Sequence, residues 1–196
     1  ERGLIIMKRK IIITIVILIT VPVLFLAFYK PGRVILPEAF GFTRIEKGLY
    51  LDEPTRAEEA RLLQEKALQD IEKEFGRFKR EPKIIFCSTQ ESFEKFGFNK
   101  SAARLLGPFG IIISPRGWKI YYLKHELIHY WQVENLGMIN IYSYPQWLRE
   151  GMAYSLSGDP RKTLDEPWET YREKFNKWYE KIDKENLLIE IKSIKK

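Results

Sequence analysis

Both histidines of this 196-residue chain lie in one five-residue run, His125-Glu126-Leu127-Ile128-His129. Random placement would set two histidines four apart about one time in a hundred, and a glutamate beside the first lowers that to roughly one in a thousand. A spacing of four stacks two side chains on one face of a helix. Two neutral imidazoles on adjacent turns can reach one zinc ion at about 2.0–2.1 Å each. Glu126 stands about 100° around such a helix from His125. It need not ligate, yet it can reach a water beside the metal. The chemistry this predicts is hydrolysis, in which Glu126 takes a proton from water and returns it to the leaving amine.

Two ligands do not hold a catalytic zinc, which usually has three protein ligands and an open position. The chain has no third histidine, so the remaining ligand must be a carboxylate or its single cysteine, Cys87. Cys87 sits in an apolar run, Ile84-Ile85-Phe86-Cys87, and reads as a small buried residue. Glu134 lies some 140° around the helix from His129 and faces away. Glu150 is the better candidate, 21 residues past His129 in Trp147-Leu148-Arg149-Glu150-Gly151-Met152-Ala153. A helix, a reversing loop and a second helix can bring it against the histidine face, and Gly151 and Ala153 would let the two helices approach closely. The oxyanion formed during hydrolysis needs a further donor. Tyr154, one turn beyond Glu150, is the first candidate, with Tyr144, Arg149 and Arg161 behind it. Asp159 is a candidate acceptor for the second nitrogen of a ligating histidine.

His-Glu-x-x-His followed by Trp-Leu-x-Glu-Gly-x-Ala resembles the gluzincin zinc metallopeptidases, specifically the peptidase-MA-like group. The resemblance spans Gly48 to Pro160. It implies a zincin fold, with His125, His129 and Glu150 as zinc ligands and Glu126 as general base. It also implies an edge strand, here Ile111 to Ser114, that pairs with an extended peptide substrate. Several relatives carry an acidic group where this chain has Tyr154. No Gly-x-Met-Glu-Asn run is present, which favours an endopeptidase over an aminopeptidase. A different class of reading is a degenerate zincin that serves as a membrane-tethered binding or assembly protein; the intact Glu126 argues against it. A structural zinc site would need a fourth ligand that the spacing does not supply.

The elements that position these residues follow from periodicity and punctuation. Asp52 and Pro54 open a helix whose Leu63, Ala67, Ile71 and Phe75 recur every four residues, and Gly76 ends it. Lys83 to Cys87 reads as a buried strand, and Ser88-x-x-Glu91 as a capping box for a short helix over Thr89 to Phe96. Ile111 to Ile113 is a second strand. The motif helix runs from Ile120 to Leu136, stopped by Gly137. Ser143 is placed to cap the Glu150 helix, which Gly158 ends. Trp168, Tyr171, Phe175, Trp178 and Ile182 mark an amphipathic helix that docks on the core. Strands early and helices late make the body a small α+β domain.

Residues 1–10 are a basic N-terminal segment, within which Glu1 to Ile6 precedes a natural-looking start at Met7. Residues 11–29 form an uncharged, almost wholly apolar run of 19 residues. As a helix this run is roughly 28 Å long, close to the hydrocarbon core of a bilayer. No small-x-small cleavage pattern follows it, so the expectation is an uncleaved transmembrane signal anchor. Lys8, Arg9 and Lys10 before the run favour a body outside the cytoplasm, in a single-pass cell-membrane protein. Pro31, Gly32, Pro37 and Gly41 suggest a linker over 30–47, with one short strand starting near Thr43, and 48–196 remain for the domain. The net charge is +7 overall, yet from Ile11 onward 29 basic residues face 25 acidic ones. Nowhere do Lys and Arg gather as a nucleic-acid face requires. The partners expected are a peptide or protein substrate and the membrane.

Overall fold

The computed structural model describes residues 2–194, and the side chains from Ile6 to Ile194. Helix α1 (Arg2–Phe28) leads. Strands β1 (Thr43–Glu46) and β2 (Leu49–Leu51) form a hairpin, followed by α2 (Ala57–Phe75), β3 (Ile84–Phe86) and α3 (Gln90–Glu94). Strands β4 (Ala103–Leu105) and β5 (Ile111–Ile113) precede α4 (Ile120–Leu136) and α5 (Gln146–Leu156). Helices α6 (Trp168–Tyr179) and α7 (Leu187–Ser193) end the chain. The molecule is therefore a mixed helix-and-sheet protein, as expected.

The five strands pair in the order β1-β2-β3-β5-β4. The inner three are parallel and the outer two antiparallel. Strand side chains alternate between faces, and the register aligns that alternation across the sheet. Leu49, Ile84 and Ile111 stand in one row, Leu51, Phe86 and Ile113 in another, and all six are fully buried in the cluster shared with the helices. Tyr50, Ile85 and Ile112 stand between them and join a second cluster on the opposite face, with Val34, Phe42, Cys87, Phe93 and Phe96. Strands buried on both faces read as continuous apolar runs, as Ile84–Cys87 and Ile111–Ile113 do.

That second cluster corrects the expectation of a linker over 30–47. Two short 3-10 turns, Lys30–Ile35 and Pro37–Phe40, carry Val34 and Phe42 onto the sheet, where they are 1% and 2% exposed. The Lys83 ammonium donates to the carbonyls of Val34 and Ile35 at 3.1 and 2.9 Å and holds the segment down. The strand expected near Thr43 is two strands, reversed at Gly48 with φ of 78°, a conformation that favours glycine.

Three caps differ from expectation. Asp52 does not cap α2 but accepts the Ser88 backbone N–H at 2.8 Å, tying the end of β2 to the end of β3. Thr89, not Ser88, caps α3, its hydroxyl accepting from the Ser92 N–H at 3.1 Å. Ser143 lies in a 3-10 turn and bonds Asn140, so α5 starts after Pro145 without a side-chain cap. Ile6–Phe28 of α1 forms a 23-residue stretch long and apolar enough to cross a membrane, with none of it buried against the body.

Candidate metal centre

Helix α4 is the spine of the site. Leu123, Leu127, Ile128 and Trp131 are buried and press it onto the sheet, which leaves His125 and His129 half-buried along the opposite flank. The chain reverses through residues 137–145, and α5 packs back along α4. Glu150, one turn into α5, meets the histidines there. His125 Nε2 and His129 Nε2 are 3.1 Å apart. The nearer Glu150 carboxylate oxygen, Oε2, lies 3.5 Å from the His129 nitrogen and 3.8 Å from the His125 nitrogen. A tetrahedral zinc with donors at about 2.0–2.1 Å sets them about 3.3 Å apart. The three separations here bracket that value, and two imidazoles with a carboxylate form a donor set suited to zinc. These residues therefore fit a metal ion as they stand.

The charges in the site respond to burial and to each other. Burial and the neighbouring His129 push His125 down to about 3, so it is neutral at physiological pH. Burial also lowers His129, but the Glu150 carboxylate outweighs it and lifts His129 to about 9. Burial raises Glu150, and His129 outweighs that in turn, holding Glu150 near 2. The metal-free cluster thus keeps one proton, on His129, that ligation would displace.

The second nitrogen of His129 is fixed by Gln132, which sequence reasoning missed. His129 Nδ1–H donates to Gln132 Oε1 at 2.9 Å. The same amide donates from Nε2 to the Arg149 carbonyl at 3.0 Å and the Met152 sulfur at 3.3 Å. One buried side chain therefore keeps the His129 proton on Nδ1, so that Nε2 is the nitrogen that gives up its proton to a metal. It also ties α4 to the turn of α5 that carries Glu150. A glutamine three residues after the motif, seven after His125 and so on the histidine face, is the signal that could have found it. Asp159, the acceptor expected for this role, is engaged by Arg161 instead.

Glu126 is 9% exposed. Its Oε2 accepts the Leu105 backbone N–H at 2.7 Å, and among the described residues Oε1 has no hydrogen-bond partner. Burial raises its carboxyl, though the His129 charge and the Leu105 N–H pull the other way. Leu105 lies on β4, which was not recognised in the sequence: Ala103-Arg104-Leu105 has no apolar run to announce it. It also replaces Ile111 to Ser114 as the edge of the sheet, because β5 is covered by β3 on one side and β4 on the other. The Ser114 N–H bonds the Ala102 carbonyl and the Leu106 N–H bonds the Gly110 carbonyl. Ala102 and Leu106 thus face β5, and by the antiparallel alternation Ala103 and Leu105 face outward.

Tyr154 is brought to the site, its ring centroid 4.5 Å from that of His125 in an edge-on contact. Burial and the Glu150 charge push its phenol up to about 12, so it stays protonated. Arg149 and Arg161 line the same cleft, and Tyr144 does not: it is buried in the helical core. Glu134 faces away as expected, accepting the N–H groups of Lys79 and Arg80 at 3.0 and 2.9 Å. Cys87 is buried on the far face of the sheet, where desolvation raises its thiol and keeps it from ligation. Gly151 does not serve the α4 contact. A Cβ there would stand 2.3 Å from the Tyr171 carbonyl, so the residue admits α6 against α5. The cleft in front of the cluster measures about 810 Å³, between β4 and the preceding loop on one side and α5 and the residues after it on the other.

Compared with protein-family models, with curated proteins and with solved structures, the chain matches none of them.

Proposed function

We propose that this protein is a zinc metallopeptidase of the gluzincin type, with a zincin-like body held at the cell membrane by its N-terminal helix and lying on the non-cytoplasmic side. The observation that carries the proposal is the convergence of His125, His129 and Glu150 on one point, with the buried Glu126 one residue from the first ligand and open on one oxygen. Zinc bound there would make a water acidic enough to supply hydroxide near neutral pH and would polarise a carbonyl.

The chain's own residues supply the rest. The Leu105 N–H holds Glu126 by one oxygen, so the other is the one that takes and returns the proton. Desolvation of Glu126 raises its affinity for that proton, which suits a base working near neutral pH. Tyr154, protonated and packed on His125, is the donor for the oxyanion. Ala103 presents an outward N–H and C=O on the β4 edge, the groups an extended peptide would pair with.

The test uses the full chain in detergent. Zinc content and chelator-sensitive casein cleavage are measured for wild type and Glu126→Gln. One zinc per chain is expected in both, with activity lower by about 100-fold or more in the variant. Equal activity in the two would remove the base, and zinc in neither would remove the metal.

A further inference from the structure

Basic side chains outnumber acidic ones on the cleft walls. Lys100, Arg104, Arg116, Arg149 and Arg161 line it, against Asp159 and Asp165 once the ligand Glu150 and the base Glu126 are set aside. Arg161 is taken up by Asp159. Among the described residues the other four basic side chains make no ion pair.

Arg149 stands out among them. Its Nε is buried and has no hydrogen-bond partner among the described residues. Its guanidinium carbon lies 5.3 Å from the centroid of the Tyr142 ring, which orients the plane without satisfying a single N–H. Glu150, its neighbour in sequence, is committed to the histidines at 3.5 and 3.8 Å. A guanidinium has five N–H donors in a fixed fork, and a buried donor left unpaired costs free energy unless a partner arrives. The fork matches a carboxylate, which it binds through two parallel charge-assisted bonds.

Given the peptidase reading, on which this rests, we propose that Arg149 is a receptor for a carboxylate of the substrate, and that the enzyme prefers peptides carrying an acidic group close to the bond it cuts. The carboxylate is either an Asp or Glu side chain or the free C-terminus of the peptide. Lys100, Arg104 and Arg116, at the β4 side of the cleft, add a longer-range attraction that salt weakens. Arg149 then acts on substrate choice. An oxyanion donor would instead be needed equally for every substrate.

The experiment takes the full chain in detergent and three labelled peptides of one length. One has internal glutamates and an amidated C-terminus, one is neutral with a free C-terminus, and one is neutral and amidated. Binding is read by fluorescence anisotropy on the zinc-loaded Glu126→Gln protein, and cleavage as kcat/KM on the active protein. The expected result is that one carboxylate-bearing peptide binds at least 10-fold tighter than the neutral amide. Arg149→Gln should reduce that ratio by about 10- to 100-fold, the range for removing a charge-assisted bond, and Arg149→Lys should restore part of it. The preferred peptide identifies the side chain or the terminus as the source. Equal binding of all three, or a preference that survives Arg149→Gln in a protein that still loads zinc, overturns the proposal. A fall in kcat/KM shared by all three peptides would make Arg149 an oxyanion donor and overturn it as well. Preferential binding with no cleavage of any peptide by wild type would leave carboxylate recognition standing and remove the peptidase reading.

Discussion

Replacing Gln132 with leucine removes the side chain that both fixes the His129 ring and hydrogen-bonds the backbone of the glutamate helix. Two losses follow, and they are separable. The first is the acceptor for His129 Nδ1–H, now at 2.9 Å. Without it the ring is free to rotate and to place its proton on Nε2, where a metal must bind. Residues in this supporting position typically account for about 10- to 100-fold in metal affinity, or roughly 1.4–2.8 kcal/mol. The second is the donor to the Arg149 carbonyl, now at 3.0 Å. A buried carbonyl left bare costs about 1–3 kcal/mol of folding stability. For a chain of this size that lowers the melting temperature of the metal-free protein by roughly 2–4 °C per kcal/mol. Zinc affinity is measured by competition with a chromophoric chelator at fixed pH, and melting is followed by circular dichroism with a metal-free sample. Gln132→Glu keeps the acceptor and loses the donor, so it should show the stability loss while keeping zinc affinity near wild type. A folded Gln132→Leu protein that binds zinc as tightly as wild type would falsify the assignment of Gln132 as the residue that positions His129.

Further outcomes follow from the same geometry. His129 is raised to about 9 in the metal-free protein, whereas His125 is neutral over the working range. Ligation must expel that one proton, so zinc affinity should climb about tenfold per pH unit from pH 7 toward 9. NMR titration of the histidine rings in the metal-free protein should show His129 titrating near 9 and His125 uncharged across pH 5–8; two ordinary histidines titrating near 6.5 would refute the assignment. Gly151→Ala drives a methyl to within 2.3 Å of the Tyr171 carbonyl. It should cost about 1–3 kcal/mol and loosen α6, seen as a lower melting temperature and faster amide exchange in Trp168–Tyr179, and an unchanged melt would refute the close approach. Phe42→Ala empties a site that is 2% exposed and 5.2 Å from the Phe96 ring. It should destabilise the protein by about 3–5 kcal/mol in denaturant titration, where a residue in a true linker would change stability by less than ~0.5 kcal/mol.

Residues that act through local periodicity were open to reading in the sequence. His125 and His129 share a helical face because 3.6 residues make a turn, whatever the rest of the chain does. The apolar run ahead of Lys30 has the length and composition of a membrane span without reference to any partner. The aromatic spacing of α6 announces a docking face, and Phe175 is buried on it. Glu150 follows by elimination, since a site with two histidines needs a third donor and Cys87 and Glu134 are the poorer choices.

Other features depend on contacts between segments far apart in the chain. Strand order is one such property. Ile111–Ile113 is the more hydrophobic strand, and for that reason it is paired on both sides, while Ala103–Leu105 takes the edge beside Glu126. Gln132 gains its role only when α5 brings the Arg149 carbonyl and Met152 to it. Asp52 caps no helix because the Ser88 N–H, 36 residues on, is the better-placed donor. Residues 30–47 look like a linker because 3-10 turns carry no period that a pattern can detect, yet the far face of the sheet needs an apolar cover and they supply it. Spacing along the chain is enough to say which side chains could meet a metal. The fold decided what holds them, through hydrogen bonds and packing that no spacing along the chain encodes.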